Sequence, residues 1–331
     1  MDFDEQCISN LPVWMKIFLK NLRNNGLTVL TKIEQKKLNK GLSPNYAPIF
    51  IIGPPRSGTT LIYQTFARAL SLSYICNLSA QFFQCPGLAT QVISYITKIV
   101  PPAVFKSYYG ETTGWSSQNQ GREIWCRWFP GDQSYVGRGI LSSDQIRDLR
   151  GTVALIEKAF QMPFINKAQG HCVRMLPITE AFPNAVFIRV RRDFLRTAQS
   201  IYFGRKEYFG NAEHWISVRP MRFNDLKNLN AFEQVCKQVL FIEEDINDSI
   251  NKISDIRLFE IFYNEFCNNP AKVLREFIKF YFKITGIKLK RRATIPTFFT
   301  PSNKIKISYV EFDSLKREAE KLEPHLFNNS P

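Results

Sequence analysis

The sequence predicts an α/β fold: a single domain with a central parallel β-sheet flanked by helices. Three observations carry this. The apolar run Ile49-Phe50-Ile51-Ile52 enters a turn of Gly, Pro and Ser, after which Leu61, Ile62, Phe66 and Leu70 recur at helical spacing. Two further apolar runs, at 185–191 and 256–263, each precede a helical pattern. Strands that alternate with helices in this way build a parallel sheet covered on both faces. The chain has no internal repeat or low-complexity linker. Its 331 residues suffice for one large core, and its 44% hydrophobic and 22% charged content excludes global disorder.

In chain order, residues 1–47 read as a helical lead-in closed by the turn-rich stretch 41–48, and residues 48–331 as the main domain. The strand at 49–52, its turn and a helix to about residue 70 come next. Residues 74–140 read as irregular and rich in aromatics, Phe82, Phe83, Tyr95, Phe105, Tyr108, Tyr109, Trp115, Trp125, Trp128, Phe129 and Tyr135 among them. Such a stretch is either core or the wall of an acceptor cleft. A helix follows at 143–160 with Ser143 as its cap. The second strand, 185–191, is entered through the turn Phe182-Pro183-Asn184, and a helix starts near Phe194. A long helical pattern spans 226–252. After the third strand candidate, Asn269 and Pro270 supply a cap and a first-turn proline for a helix over 271–284, and a short charged helix closes the chain near 313–322.

The turn after the first strand carries the chemistry. A strand, a glycine turn and a helix aim backbone N–H groups and a helix N-terminus at a phosphate. Gly53 and Gly58 have the spacing of the P-loop G-x-x-x-x-G-K-[ST], with Thr60 at its last position. Thr59 stands where that loop has its lysine, and the fixed charge lies inside the turn as Arg56. The loop is therefore P-loop-like but lacks the group that ATP- and GTP-cleaving enzymes use.

The segment Pro54-Pro55-Arg56-Ser57-Gly58-Thr59-Thr60 resembles the 5′-phosphosulfate loop of sulfotransferases that use 3′-phosphoadenosine 5′-phosphosulfate (PAPS), whose pattern is Pro-x-Arg-Ser-Gly-Thr-Thr. A second hallmark of that family is a strand, then Arg-Asp, then Ser seven residues past the Asp. It is matched by Arg192, Asp193 and Ser200, with Phe194 where a proline often stands. Tyr263-Asn264-Glu265-Phe266 with Pro270 resembles the segment near the adenine, and Lys167 with His171 resembles the Lys-x-x-x-His turn before the second strand. The likeness spans about 49–285, closer to the broad bacterial and Golgi-like branch, tyrosylprotein enzymes included, than to the cytosolic drug-conjugating branch.

The resemblance implies metal-free in-line transfer of a sulfuryl group from PAPS to a hydroxyl acceptor, a small molecule, lipid or glycan. Pro55, Arg56, Ser57, Gly58, Thr59 and Thr60 would bind the 5′ end of the donor, Arg192 and Ser200 its 3′-phosphate, and Tyr263 the region of the adenine. Lys167 and Arg56 would meet the charge that develops on the leaving phosphate. The general base stays open. The tyrosylprotein branch uses a carboxylate some twenty residues after its loop arginine, whereas residues 76–81 here hold no Asp or Glu. His171 and Glu123 are the two candidates, Glu111 a weaker third, and His214 and His325 are the remaining histidines. Two other readings stand beside this one: a small-molecule or nucleotide kinase with an unusual loop, and a non-catalytic nucleotide binder.

The formal net charge of +15 suits either a soluble basic surface or attraction of anionic ligands. The basic runs 189–192 and 288–292 come with no nucleic-acid motif, so nucleic acid is not an expected partner. Seven scattered cysteines without C-x-x-C spacing indicate neither a metal site nor a disulfide framework, and fit a reducing cytoplasm. The acidic start Asp2, Asp4, Glu5 does not read as a signal peptide, and no run is long enough to span a membrane. Trp14, Ile17, Phe18 and Leu22 recur at helical spacing with lysines between them, which suits docking on the domain or peripheral membrane contact.

Overall fold

The computed structural model describes residues 11–108 and 110–322, so Cys7, Tyr109 and His325 lie outside the described residues. Four parallel strands form the sheet: β1 (Ile49–Ile52), β2 (Ile165–Asn166), β3 (Val186–Arg191) and β4 (Arg257–Phe262), in the order β2-β1-β3-β4. Every residue of β1 is buried because helices cover both faces. Ile49 and Ile51 pack with Ile62, Phe66 and Phe277 on one face. Phe50 and Ile52 pack with Phe164, Phe187 and Ile242 on the other. Burial of each such side chain contributes about 1.5–3 kcal/mol, so the unbroken apolar run specifies a central strand.

The chain leaves β1 for β2 on one side and β3 on the other, which puts a topological switch point at the carboxyl end of β1. Open α/β sheets bind ligands at such crevices. Gly53 follows β1, Lys167 follows β2, Arg192 follows β3 and Tyr263 follows β4. The sheet thereby delivers one candidate residue from each strand to the same edge.

The helices agree with the sequence in kind and differ at several ends. The cap of Ser143–Phe160 is Ser142, whose hydroxyl accepts from Gln145 N while Gln145 answers on the Ser142 amide. The long helix is Ala231–Lys252, capped by Asn230, and Phe223–Leu226 is a separate 3₁₀ turn. Asn269 caps Pro270–Thr285 as expected. The last helix begins earlier, at Tyr309, and buries Leu315 and Ala319 against the helices Phe194–Phe209 and Ala231–Lys252. The aromatic region is not wholly irregular, since Pro86–Ile96 is a helix opened by proline.

The lead-in folds as helices Val13–Asn21 and Leu27–Leu38 joined by a π turn at Leu22–Gly26. Its buried stripe is Leu11, Met15 and Leu19, whereas Trp14, Ile17 and Phe18 are exposed. It joins the core and is not a detached arm: Leu38 packs on Gly151, and the buried Glu34 carboxylate accepts from the amides of Gly87 and Leu88 at the start of Pro86–Ile96. Burial raises the pKa of Glu34 to about 7 despite those two bonds. Among the described residues no helix is long and apolar enough to cross a membrane.

Candidate active site

The loop after β1 makes its turn with three residues in the left-handed region: Gly53 at φ 150°, Arg56 at φ 69° and Gly58 at φ 97°. A side chain at Gly53 would meet Val190 O at 2.7 Å, and one at Gly58 would meet the Tyr263 ring at 2.3 Å. Both glycines are thus required by close approach as well as by conformation. Helix Thr59–Ala69 starts directly after Gly58, so its first N–H groups face the loop.

Arg56 Nε donates to Ser200 Oγ at 3.0 Å, which ties the loop to helix Phe194–Phe209. Arg192, one residue past β3, donates from Nη1 to Arg56 O at 2.7 Å and from Nη2 to Ser302 O and, at 3.4 Å, to Asn303 Oδ1. Its guanidinium lies 4.7 Å from the centroid of the Tyr263 ring, and Ser302 N donates to the Tyr263 hydroxyl at 3.3 Å. Burial, with the neighbouring Arg56 charge adding to it, holds Arg192 below the usual arginine pKa.

Lys167 is 3% exposed, and its Nζ donates to Gln120 Oε1 at 3.0 Å. Burial, followed by repulsion from Arg56, brings its pKa down to about 7. Gln120 is fixed in turn, since its Nε2 donates to Gly110 O and its carbonyl accepts from Trp125 Nε1.

These residues converge on a cavity of about 280 Å³ lined by Pro55, Arg56, Gly58, Thr59, Thr60, Lys167, Arg192, Ser200 and Tyr263. Lys306 adds a fourth cation, and among the described residues no carboxylate lines the cavity. Four cations beside a helix N-terminus, without an acidic side chain, make an anion site. Ser57 lies elsewhere: it is buried and lines a neighbouring cavity of about 130 Å³ that shares Arg192 and Tyr263 with the first. Its Oγ is buried without a partner.

A family model described as the sulfotransferase family matches residues 48–281. The chain belongs to the sulfotransferase family. Membership implies sulfuryl transfer from PAPS to an acceptor substrate. Among solved structures, the chain is similar to sulfotransferase STF9 from Mycobacterium avium, at 16% identity over 85% of this chain and 79% of that one, with a TM-score of 0.45. It is also similar to sulfotransferase STF1 from Mycobacterium tuberculosis H37Rv, at 10% identity over 81% and 76%, TM-score 0.47. A sulfotransferase from Alicyclobacillus acidocaldarius gives 15% identity over 85% and 96%, TM-score 0.38. No curated protein sequence gives a significant match.

For this sulfotransferase the two glycines without room for a side chain and the four cations fit a polyanionic donor. A third cavity, about 510 Å³ and on the acceptor side, shares Gly110, Ala168 and Gln169 with the cationic one and so opens beside it. Glu123 and Glu111 both line it, and both are exposed.

The structure brings His171 to none of the three cavities. The ring is 1% exposed, its Nε2 is 2.8 Å from Asn166 Oδ1, and Trp125 and Phe50 pack against it edge-to-face at 4.5 and 5.2 Å. Burial, with Arg174 and Lys167 contributing, drives its pKa well below the ordinary histidine value. The 3₁₀ turn Gln169–Val173 buries the imidazole in the core. Trp115 likewise packs on the core, while Trp125 reaches the acceptor-side cavity from a buried position.

Sequence reasoning missed Gln120, Gln169, Ser302, Asn303 and Lys306. Gln120 reaches Lys167 through a strand-like bridge between Cys76 and Gln118 and the bond from Asn119 N to Ile75 O. The segment 302–306 arrives through contacts more than a hundred residues apart in sequence. No periodic or motif signal marks either.

Proposed function

We propose that the protein moves a sulfuryl group from PAPS to a hydroxyl acceptor by metal-free in-line transfer across the junction of the cationic and acceptor-side cavities. The observation that carries the roles is the convergence of Arg56, Lys167, Arg192 and Lys306 on one cavity without a carboxylate. A magnesium-dependent phosphoryl site would hold its ion through an acidic side chain, and among the described residues none lines this cavity.

When bound, PAPS supplies the activated sulfur and its leaving 5′-phosphate. Arg56 and the N–H groups of Gly58, Thr59 and Thr60 hold the 5′ end, and Arg192 with Ser200 neutralises the 3′-phosphate. Tyr263 positions Arg192 through its ring and abuts Gly58, a support role in place of adenine stacking. Lys167 stabilises or protonates the bridging oxygen as the sulfur–oxygen bond breaks. Its lowered pKa is restored by an anion, so donor binding recharges it. The acceptor oxygen bonds to sulfur, and its proton passes to a carboxylate. Glu123 is the base we favour, because it lines the acceptor-side cavity that His171 does not reach.

Transfer of labelled sulfate from PAPS, run with and without EDTA, tests this reading. Equal activity in both supports metal-free transfer. Loss of activity in EDTA, restored by a divalent ion, contradicts it.

A further inference from the structure

The lead-in docks on the core through one stripe and leaves a second one exposed. Val13, Trp14, Ile17 and Val29 are each more than half exposed, and Phe18 and Ile33 more than a third. Trp14, Ile17 and Phe18 are neighbours at i, i+3 and i+4, and Val29 and Ile33 at i and i+4. The cap residues between these segments keep right-handed helical dihedrals, so Val13–Asn21, Leu22–Gly26 and Leu27–Leu38 form one continuous rod. Single apolar residues scattered on a surface need no account, whereas a row of them along one element marks an interaction face.

Charge selects the partner. Beyond Ile33 the stripe continues as Lys36 and Lys40, with Lys32 at its edge, and all three are exposed. From residue 11 to residue 40 the one carboxylate is Glu34, and it is buried against the amides of Gly87 and Leu88. The outer face of the rod therefore presents aromatic and aliphatic side chains, then ammonium groups, and no exposed carboxylate among the described residues. A second copy of the chain would bring that same face and no counter-charge for the lysines. An anionic bilayer matches both parts: its acyl region takes Trp14, Ile17 and Phe18, and its headgroups meet the lysines at the end of their flexible stems. Among the described residues no helix is long and apolar enough to cross a membrane, so the rod suits the interface plane and not a span.

We propose that the lead-in is a peripheral membrane anchor, which lays the face carrying Trp14, Phe18, Val29 and Ile33 on an anionic lipid surface. Arg23, in the π turn between the two apolar patches, lines the acceptor-side cavity, so the rod that meets the bilayer also borders that opening. The inference goes beyond the reaction and depends neither on the donor nor on the identity of the acceptor.

Co-sedimentation of the full chain with lipid vesicles in about 0.15 M salt tests it. Phosphatidylcholine vesicles with about one-third phosphatidylserine should bind the protein roughly hundredfold or more tightly than phosphatidylcholine alone. Trp14→Ser combined with Phe18→Ser should weaken that binding roughly tenfold or more, and Lys32→Gln, Lys36→Gln and Lys40→Gln in one variant roughly hundredfold. Val310→Ser, at an equally exposed apolar position in the last helix, should change nothing. All of these side chains are exposed, so each variant should keep the Tm of the unsubstituted protein within a few degrees. Brominated phosphatidylcholine in the anionic vesicles should quench part of the tryptophan emission, and Trp14→Phe should lose that quenching. No binding to the anionic vesicles, binding unchanged by either set of lead-in substitutions, an equal loss in Val310→Ser, or quenching retained in Trp14→Phe overturns the proposal. So does a dimer in the absence of vesicles that Trp14→Ser dissociates, because a second copy then covers the face.

Discussion

Lys167 should take up a proton when the donor site fills. The ammonium is buried beside Arg56, with Gln120 Oε1 accepting its hydrogen bond, and its pKa lies at about 7. At pH 8 Lys167 is then mostly neutral in the ligand-free protein. An anion placed against it favours the charged form and moves the pKa back toward the ordinary lysine value of 10.5. Binding adenosine 3′,5′-bisphosphate at pH 8 should therefore consume roughly 0.5–0.9 proton per site, the phosphates being fully ionised already. The measurement is calorimetric titration at pH 8 in several buffers of different ionisation enthalpy, where the slope of heat against that enthalpy gives the protons taken up. Lys167→Met should bind with a slope near zero. The same slope in both proteins, or no uptake by the unsubstituted one, would refute the placement of Lys167 against the leaving phosphate.

Other substitutions probe the remaining groups. Arg192→Ala should weaken adenosine 3′,5′-bisphosphate by roughly ten- to hundredfold, the value of a charge-assisted bond of about 1.5–3 kcal/mol, and leave adenosine 5′-monophosphate within a few-fold; calorimetry with both nucleotides shows whether the 3′-phosphate is the partner. Glu123→Gln should lower kcat by roughly 10²–10⁴-fold with nucleotide affinity unchanged, whereas His171→Ala should lower Tm and leave the turnover of folded molecules near normal. Gly58→Ala places a methyl 2.3 Å from the Tyr263 ring at φ 97°, so it should destabilise the fold by about 1–3 kcal/mol and abolish nucleotide binding. Denaturant titration reads the first effect and calorimetry the second. Glu34 holds its proton in the folded state up to about pH 7, against 4.5 as its ordinary value, so stability should fall as pH rises between those values; Glu34→Gln should flatten that fall in denaturant midpoints taken at pH 4.5, 6 and 8.

What the sequence disclosed follows from strand ends. Gly53, Lys167, Arg192 and Tyr263 each follow a strand directly, so a parallel sheet alone brings them to one edge. β1 and β3 were legible because burial on both faces writes an unbroken apolar run, while the two-residue β2 carries too little pattern to be read. Ser142 and Ser143 are adjacent serines, and only the reciprocal bond to Gln145 chooses between them. His171 was misplaced because spacing along the chain says nothing about which way a 3₁₀ turn points its ring. The lead-in misled through competition: Leu11, Met15 and Leu19 form a second stripe beside Trp14, Ile17 and Phe18, and packing on the core selected the less aromatic one. Gln120 and Lys306 depend on contacts across many residues, which local pattern does not encode.

The central claim is that the cationic cavity is built for a nucleotide bearing both 3′ and 5′ anions. Titration of the intact protein with adenosine 3′,5′-bisphosphate and, separately, with ATP and magnesium tests it most directly. The account predicts stoichiometric binding of the bisphosphate, at least tenfold tighter than ATP and insensitive to EDTA. Absence of bisphosphate binding, or tighter magnesium-dependent binding of ATP, would contradict it.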